Sequence, residues 1–121
     1  MMLDTEALRR IGIDPEEGMA YCADDPEFYE EMLREYLNES SAKAAELRAF
    51  YEERVWQRYG ICAHSVKSTS RTIGAKALAE RAHGAELAGR EGDADAIFAG
   101  HELFLREYTE LADRLRSVLD L

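Results

Sequence analysis

Between Ala63 and Leu78 the chain reads AHSVKSTSRTIGAKAL, in which His64 is followed at three, four and seven residues by Lys67, Ser68 and Arg71. On a helix turning about 100° per residue, Lys67 falls about 60° to one side of His64, Ser68 about 40° to the other, and Arg71 about 20° away. These four side chains therefore share one face. Cys62, Val66, Thr69 and Ile73 fall about 140–200° away and form the stripe that a core must cover. The imidazole is thus expected in water, between two cations and a hydroxyl.

An imidazole in this company is suited to accepting a phosphoryl group. Attack on phosphorus needs a ring nitrogen with a free lone pair, and neighbouring cations disfavour a further proton on the ring. Once transferred, the group carries about two negative charges, which Lys67 can pair and Arg71 can help to balance. A carboxylate against the ring acts in the opposite sense on both counts. The charge pattern points the same way: of 25 Asp and Glu in 121 residues, none lies between Val55 and Ala79, whereas Arg58, Lys67, Arg71 and Lys76 do. An even spread would put about five acids in that window. The expectation is that no acid faces His64. Periodicity alone is met equally well by an ordinary surface histidine among lysines.

The helix that carries these residues needs partners. Asp14-Pro15-Glu16-Glu17 is a helix start, with an Asp cap, a first-turn proline and acids at the positive end of the dipole; that helix should run to about Ala23. Asp25-Pro26-Glu27 repeats the signal and opens a long helix, with Phe28, Met32, Leu33, Tyr36, Leu37, Ala44, Leu47 and Tyr51 at three- and four-residue steps. Asn38-Glu39-Ser40-Ser41 is its weak place, but no glycine or proline breaks it there. A turn is placed at Glu53–Val55, a helix end at Gly74, and a further helix from about Ala75 to Ala88. Gly89 to Gly92 reads as a turn with Asp93 capping the last helix, whose seam is Ile97, His101, Phe104, Tyr108, Leu111, Leu115 and Val118. The prediction is an all-α antiparallel four-helix bundle with a short N-terminal helix or helices capping one end. It is read as one domain over residues 1–121, core bundle about 25–120, closing its own core as a monomer.

Composition removes several function classes. A formal charge of −10 disfavours nucleic acid and anionic membrane as partners. No apolar run is long enough to span a bilayer and the start lacks a secretory leader, so a cytoplasmic address is expected. Cys22 and Cys62 read as buried free thiols. Glu80-Arg81-Ala82-His83 is a Glu-x-x-His motif of the kind that binds metal in di-iron bundles, but it has no second copy; no metal is expected, and His83 reads as a solvated residue. His101 reads as a hydrogen-bonded core or rim histidine, and Gly84 and Gly89 as sites of close helix packing.

Ala63-His64-Ser65-Val66-Lys67-Ser68, followed by Ile73-Gly74-Ala75 and Leu78-Ala79, resembles the histidine-containing phosphotransfer (HPt) domains of two-component phosphorelays. Their pattern is Ala-His-x-apolar-Lys-Gly, then apolar-Gly-Ala-x-x-Leu. The likeness extends to Asp25-Pro26-Glu27-Phe28, Trp56 and Gly92-Asp93, over about residues 12–119. It implies a four-helix bundle in which His64 takes a phosphoryl group from a receiver-domain aspartate and passes it to another receiver, with Lys67 as the supporting cation. Response-regulator receivers or a hybrid histidine kinase are the implied partners, with Mg²⁺ on the receiver and no cofactor on this chain. Ser68 stands where the family usually has Gly; it is small enough to keep partner access, and its hydroxyl could contact the phosphoryl group. The dimerisation domain of sensor kinases fits less well, because Ser65 and Val66 follow the histidine where that family has an acid and then a proline. No glycine-rich nucleotide site is present, so the expectation is a phosphocarrier without an ATP site. The alternative is a helical interaction module that docks a receiver or other signalling partner without carrying phosphate.

Overall fold

The computed structural model describes residues 3–121. They form six helices: α1 (Thr5–Arg10), α2 (Pro15–Tyr21), α3 (Pro26–Glu53), α4 (Trp56–Ile73), α5 (Lys76–Glu91) and α6 (Ala94–Val118). Side chains of Asp4, Asp14, Asp25 and Asp93 accept first-turn backbone N–H groups, and Pro15 and Pro26 open their helices. Arg54, Gly74 and Gly92 end α3, α4 and α5 in left-handed conformations. Arg54 is the reason the α3–α4 boundary is faint in the sequence, since no glycine marks it.

Two-residue turns reverse the chain between α3, α4, α5 and α6, and α3 packs back on α6 to close the four-helix ring. α2 packs across α3 and α4, and α1 bridges α2 and α6, so the short helices cover one end as expected. The hinge of that cap is Gly74: at φ +90° its carbonyl accepts from Asp14 N at 2.9 Å, and a Cβ there would collide with the Asp14 carbonyl.

Tyr29, Leu33, Tyr36 and Leu47 of α3 meet Tyr59, Ala63, Val66 and Ile73 of α4 and Ile97, Phe104, Tyr108 and Leu115 of α6 in one core. Burial of each large side chain contributes about 1.5–3 kcal/mol. Buried tyrosine hydroxyls find polar partners: Tyr29 donates to the Ile73 carbonyl at 2.7 Å, and Tyr36 pairs with Ser70 Oγ at 2.9 Å. The first bond explains why Tyr29 takes the inward place in the first turn of α3 while Phe28, expected inside, is left 41% exposed.

α5 departs from the predicted boundaries. It continues through Gly89 and Arg90 to Glu91, so the expected turn shrinks to Gly92-Asp93. Gly89 is a packing residue inside the helix: α5 crosses α4 at Gly60, and a Cβ on Gly89 would lie 2.6 Å from Gly60 Cα. The close-packing expectation fails at Gly84, whose Cβ position is empty to 4 Å. Gly84 and Gly100 instead line a cleft of about 300 Å³ between α5 and α6.

Candidate functional site

His64 stands in the third turn of α4, after the buried Ala63, with its side chain 49% exposed. The apolar stripe of Cys62, Val66 and Ile73 faces the core and turns the imidazole outward, as the helical phase requires. Ile61, one turn earlier on the same side, is 68% exposed at the edge of a groove of about 410 Å³ between α3 and α4. The site is open to a large partner.

The expectation of acid-free surroundings is overturned. Nδ1 of His64 lies 3.1 Å from Oε2 of Glu86, 22 residues further along the chain. The acid gap along α4 is real, but the Gly60–Gly89 crossing brings α5 close enough to deliver a carboxylate from outside the window. Glu86 is 2% exposed and lies on the inward stripe of α5 with Leu78, Ala79, Ala82 and Gly89. An acid standing where the period calls for an apolar residue is the sequence signal that marks it.

Cations surround this carboxylate. Lys67 Nζ is 2.7 Å from Oε1, and Arg90 Nη2 is 2.8 Å from Oε2. His83 Nδ1 is 3.8 Å from Oε1. Burial pushes the Glu86 carboxyl up, but the Lys67 ammonium and the His64 N–H outweigh it and hold the group below the ordinary carboxylate range. Glu86 is therefore ionised at neutral pH and can only accept. It follows that Nδ1 of His64 bears a proton and donates it, which makes Nε2 the outward nitrogen; no described residue bonds Nε2.

The predicted residues are distributed unequally. Lys67 joins the cluster, but its side chain is only 13% exposed and is held by Glu86 instead of standing free. Ser68 is exposed one turn from His64, and its hydroxyl bonds no described residue. Arg71 makes no ion pair with the cluster and lines a shallow pocket with Glu17, Lys76 and Glu80, two turns from the histidine. Arg90, four residues after Glu86 on α5, supplies the second cation in its place.

His101 is a hydrogen-bonded core histidine, 8% exposed, with Nδ1 2.9 Å from the Tyr59 hydroxyl and its ring stacked on Tyr51 at 3.7 Å. Cys22 and Cys62 are free and buried; burial, then the Glu46 carboxylate, pushes the Cys62 thiol up to about 11, which leaves it unreactive at neutral pH. Among the described residues no group of three His, Cys, Asp or Glu could hold a metal ion, and no helix is long and apolar enough to cross a membrane.

A family model, that of the Hpt domain, matches residues 31–120, which include His64, Lys67, Glu86 and Arg90. No curated protein and no solved structure matches the chain.

Proposed function

The chain belongs to the Hpt-domain family, and on that premise we propose that it is a phosphorelay intermediate in which His64 takes a phosphoryl group from a receiver's phosphoaspartate and passes it to another receiver. The observation that carries this reading is the half-exposed imidazole whose Nδ1 is anchored on Glu86 and whose Nε2 is free. In the forward step the Nε2 lone pair attacks phosphorus, the N–P bond forms and the P–O bond to the aspartyl carboxylate breaks. The Nδ1 proton stays on the ring, where Glu86 offsets the positive charge that the ring acquires. The reverse step restores the neutral imidazole.

A carboxylate at Nε2 would block this chemistry; at Nδ1 it selects the reactive tautomer and holds the ring in place. Its repulsion toward phosphate is offset by Lys67 and Arg90. Lys67 is the supporting cation for the transferred group, and Ser68 keeps the approach to Nε2 open. Such transfer depends chiefly on positioning and electrostatics, so the chain contributes geometry and charge while the receiver brings Mg²⁺ and most of the transition-state stabilisation. The protein is then a carrier, with no turnover of its own from ATP.

The deciding assay mixes the protein with a phosphorylated receiver and follows an acid-labile, base-stable phosphoryl mark. The mark is expected on the wild type and absent from His64→Gln. If both proteins bind receivers of the source organism yet remain unmarked, the chain is an interaction module and the relay reading falls.

A further inference from the structure

α5 and α6 each carry a glycine that neither a turn nor a close approach requires. Gly84 and Gly100 lie inside their helices without positive φ, and nothing stands within 4 Å of the Cβ position of either. Glycine at such a place is destabilising relative to alanine. What the two residues do together is widen one cleft of about 300 Å³, whose other walls include Ala88, Ile97 and Phe104. An apolar cavity of about 150 Å³ holds benzene, so this cleft has room for a fused bicyclic ring.

Tyr59 and His101 also line the cleft, and both are more than nine-tenths buried. The Tyr59 hydroxyl lies 2.9 Å from His101 Nδ1 and has no other partner among the described residues. A buried hydroxyl needs an acceptor for its proton, so Nδ1 accepts and the ring's own proton sits on Nε2. That N–H has no acceptor among the described residues, and its nitrogen is not sealed from solvent. It is a donor free to meet an acceptor brought from outside the chain. Charge selects further: the Arg81 guanidinium is held by both oxygens of Glu107, at 3.1 and 3.3 Å, whereas Glu80, also on the cleft, has no ion pair among the described residues. An unpaired carboxylate disfavours an anion there, and the N–H disfavours a cation.

We propose that the cleft between α5 and α6 is a binding site for a neutral, largely apolar molecule of bicyclic size, whose carbonyl or ether oxygen accepts from Nε2 of His101. Apolar walls of a preformed pocket with one placed polar group are the usual make-up of such a site. None of His64, Lys67, Glu86 and Arg90 lines the cleft. The site therefore stands or falls apart from the relay reading.

The test titrates the intact, ¹⁵N-labelled protein with indanone, a bicyclic ketone, and with indane, the same skeleton without the oxygen. Indanone should bind with a Kd of about 1 mM or tighter, moving the Nε2 signal of His101 and the backbone amides of Gly84 and Gly100 along one saturating curve. Indane, which offers no acceptor, should bind about three- to tenfold more weakly and leave Nε2 unmoved. Gly84→Leu and Gly100→Leu, each placing a side chain in the open Cβ position, should abolish the shifts while retaining a cooperative melt. Should neither variant fold, the comparison of the two probes on the wild type decides alone. Absence of saturable shifts at the cleft, equal binding of the two probes, or undiminished binding by a folded leucine variant overturns the site and leaves the role of His64 untouched.

Discussion

If His64 carries phosphate as proposed, Glu86→Ala separates two opposed roles of one carboxylate. By accepting from Nδ1, Glu86 favours the tautomer with a free Nε2; by its charge it repels an incoming phosphoryl group. A hydrogen bond to a charged acceptor is worth about 1.5–3 kcal/mol. Half of the His64 side chain is exposed, so solvent competition reduces that to about 1 kcal/mol. Loss of this preference should slow transfer about fivefold. The opposing gain is small, because Lys67 and Arg90 already neutralise the carboxylate at 2.7 and 2.8 Å. The substitution should also cost about 1–2 kcal/mol of stability, below the usual cost of breaking a fully buried pair because Arg90 keeps 59% of its side chain in water. Glu86→Gln, which retains an acceptor oxygen without the charge, should fall between wild type and Ala. The assay is single-turnover transfer from a phosphorylated receiver, with ¹⁵N spectra of the His64 ring to read its tautomer. A Glu86→Ala protein that transfers as fast as wild type or faster, with an unchanged ring tautomer, refutes the positioning role.

Lys67→Ala should slow transfer about tenfold and, because it leaves Glu86 short of a close cation, lower the urea midpoint as well; full stability with slow transfer would show that Lys67 acts on the phosphoryl group alone. Gly89→Ala forces a Cβ to 2.6 Å from Gly60 Cα and 2.8 Å from the Trp56 carbonyl oxygen, backbone atoms that cannot swing aside. It should cost about 2–3 kcal/mol and lower Tm by about 10 °C, whereas Gly84→Ala, with open space at its Cβ, should stabilise α5 by about 0.5–1 kcal/mol; similar melts for the two variants would refute the close crossing. Burial first, then Arg48, disfavours the proton on His101 and sets it below the ordinary histidine value. The unfolded chain therefore binds more protons there, so this contribution is full above about pH 6.5 and is lost as pH falls. Wild type should lose more stability than His101→Gln between about pH 7.5 and about pH 5.5, and equal losses in urea melts would refute it.

Much of this architecture is written locally. Asp-Pro-Glu at residues 14–16 and 25–27 places two helix starts because capping oxygens and a preset φ act within one turn. The three- and four-residue steps of α6 mark its buried seam from Ile97 to Leu115, His101 included, because a helix has one period. The same phase puts His64 outside and Val66 inside on α4. Where the sequence misleads, the missing information is contact between helices. Gly84 and Gly89 look alike along the chain, yet only Gly89 meets another backbone. Arg71 shares the face of His64 on a helical wheel, but the cation that joins Lys67 on Glu86 is Arg90, from the neighbouring helix.

The sequence by itself determined that an exposed histidine would stand on a helix of a four-helix bundle, with a lysine one turn away, because helical phase and hydrophobic period depend only on residue order. Tertiary structure alone decided which ring nitrogen is free. Two glycines bring α4 and α5 together at Gly60 and Gly89, and only that approach seats the Glu86 carboxylate on Nδ1. Charge counted along one helix cannot register an acid delivered from another, since electrostatic interaction follows distance in space and not separation in sequence.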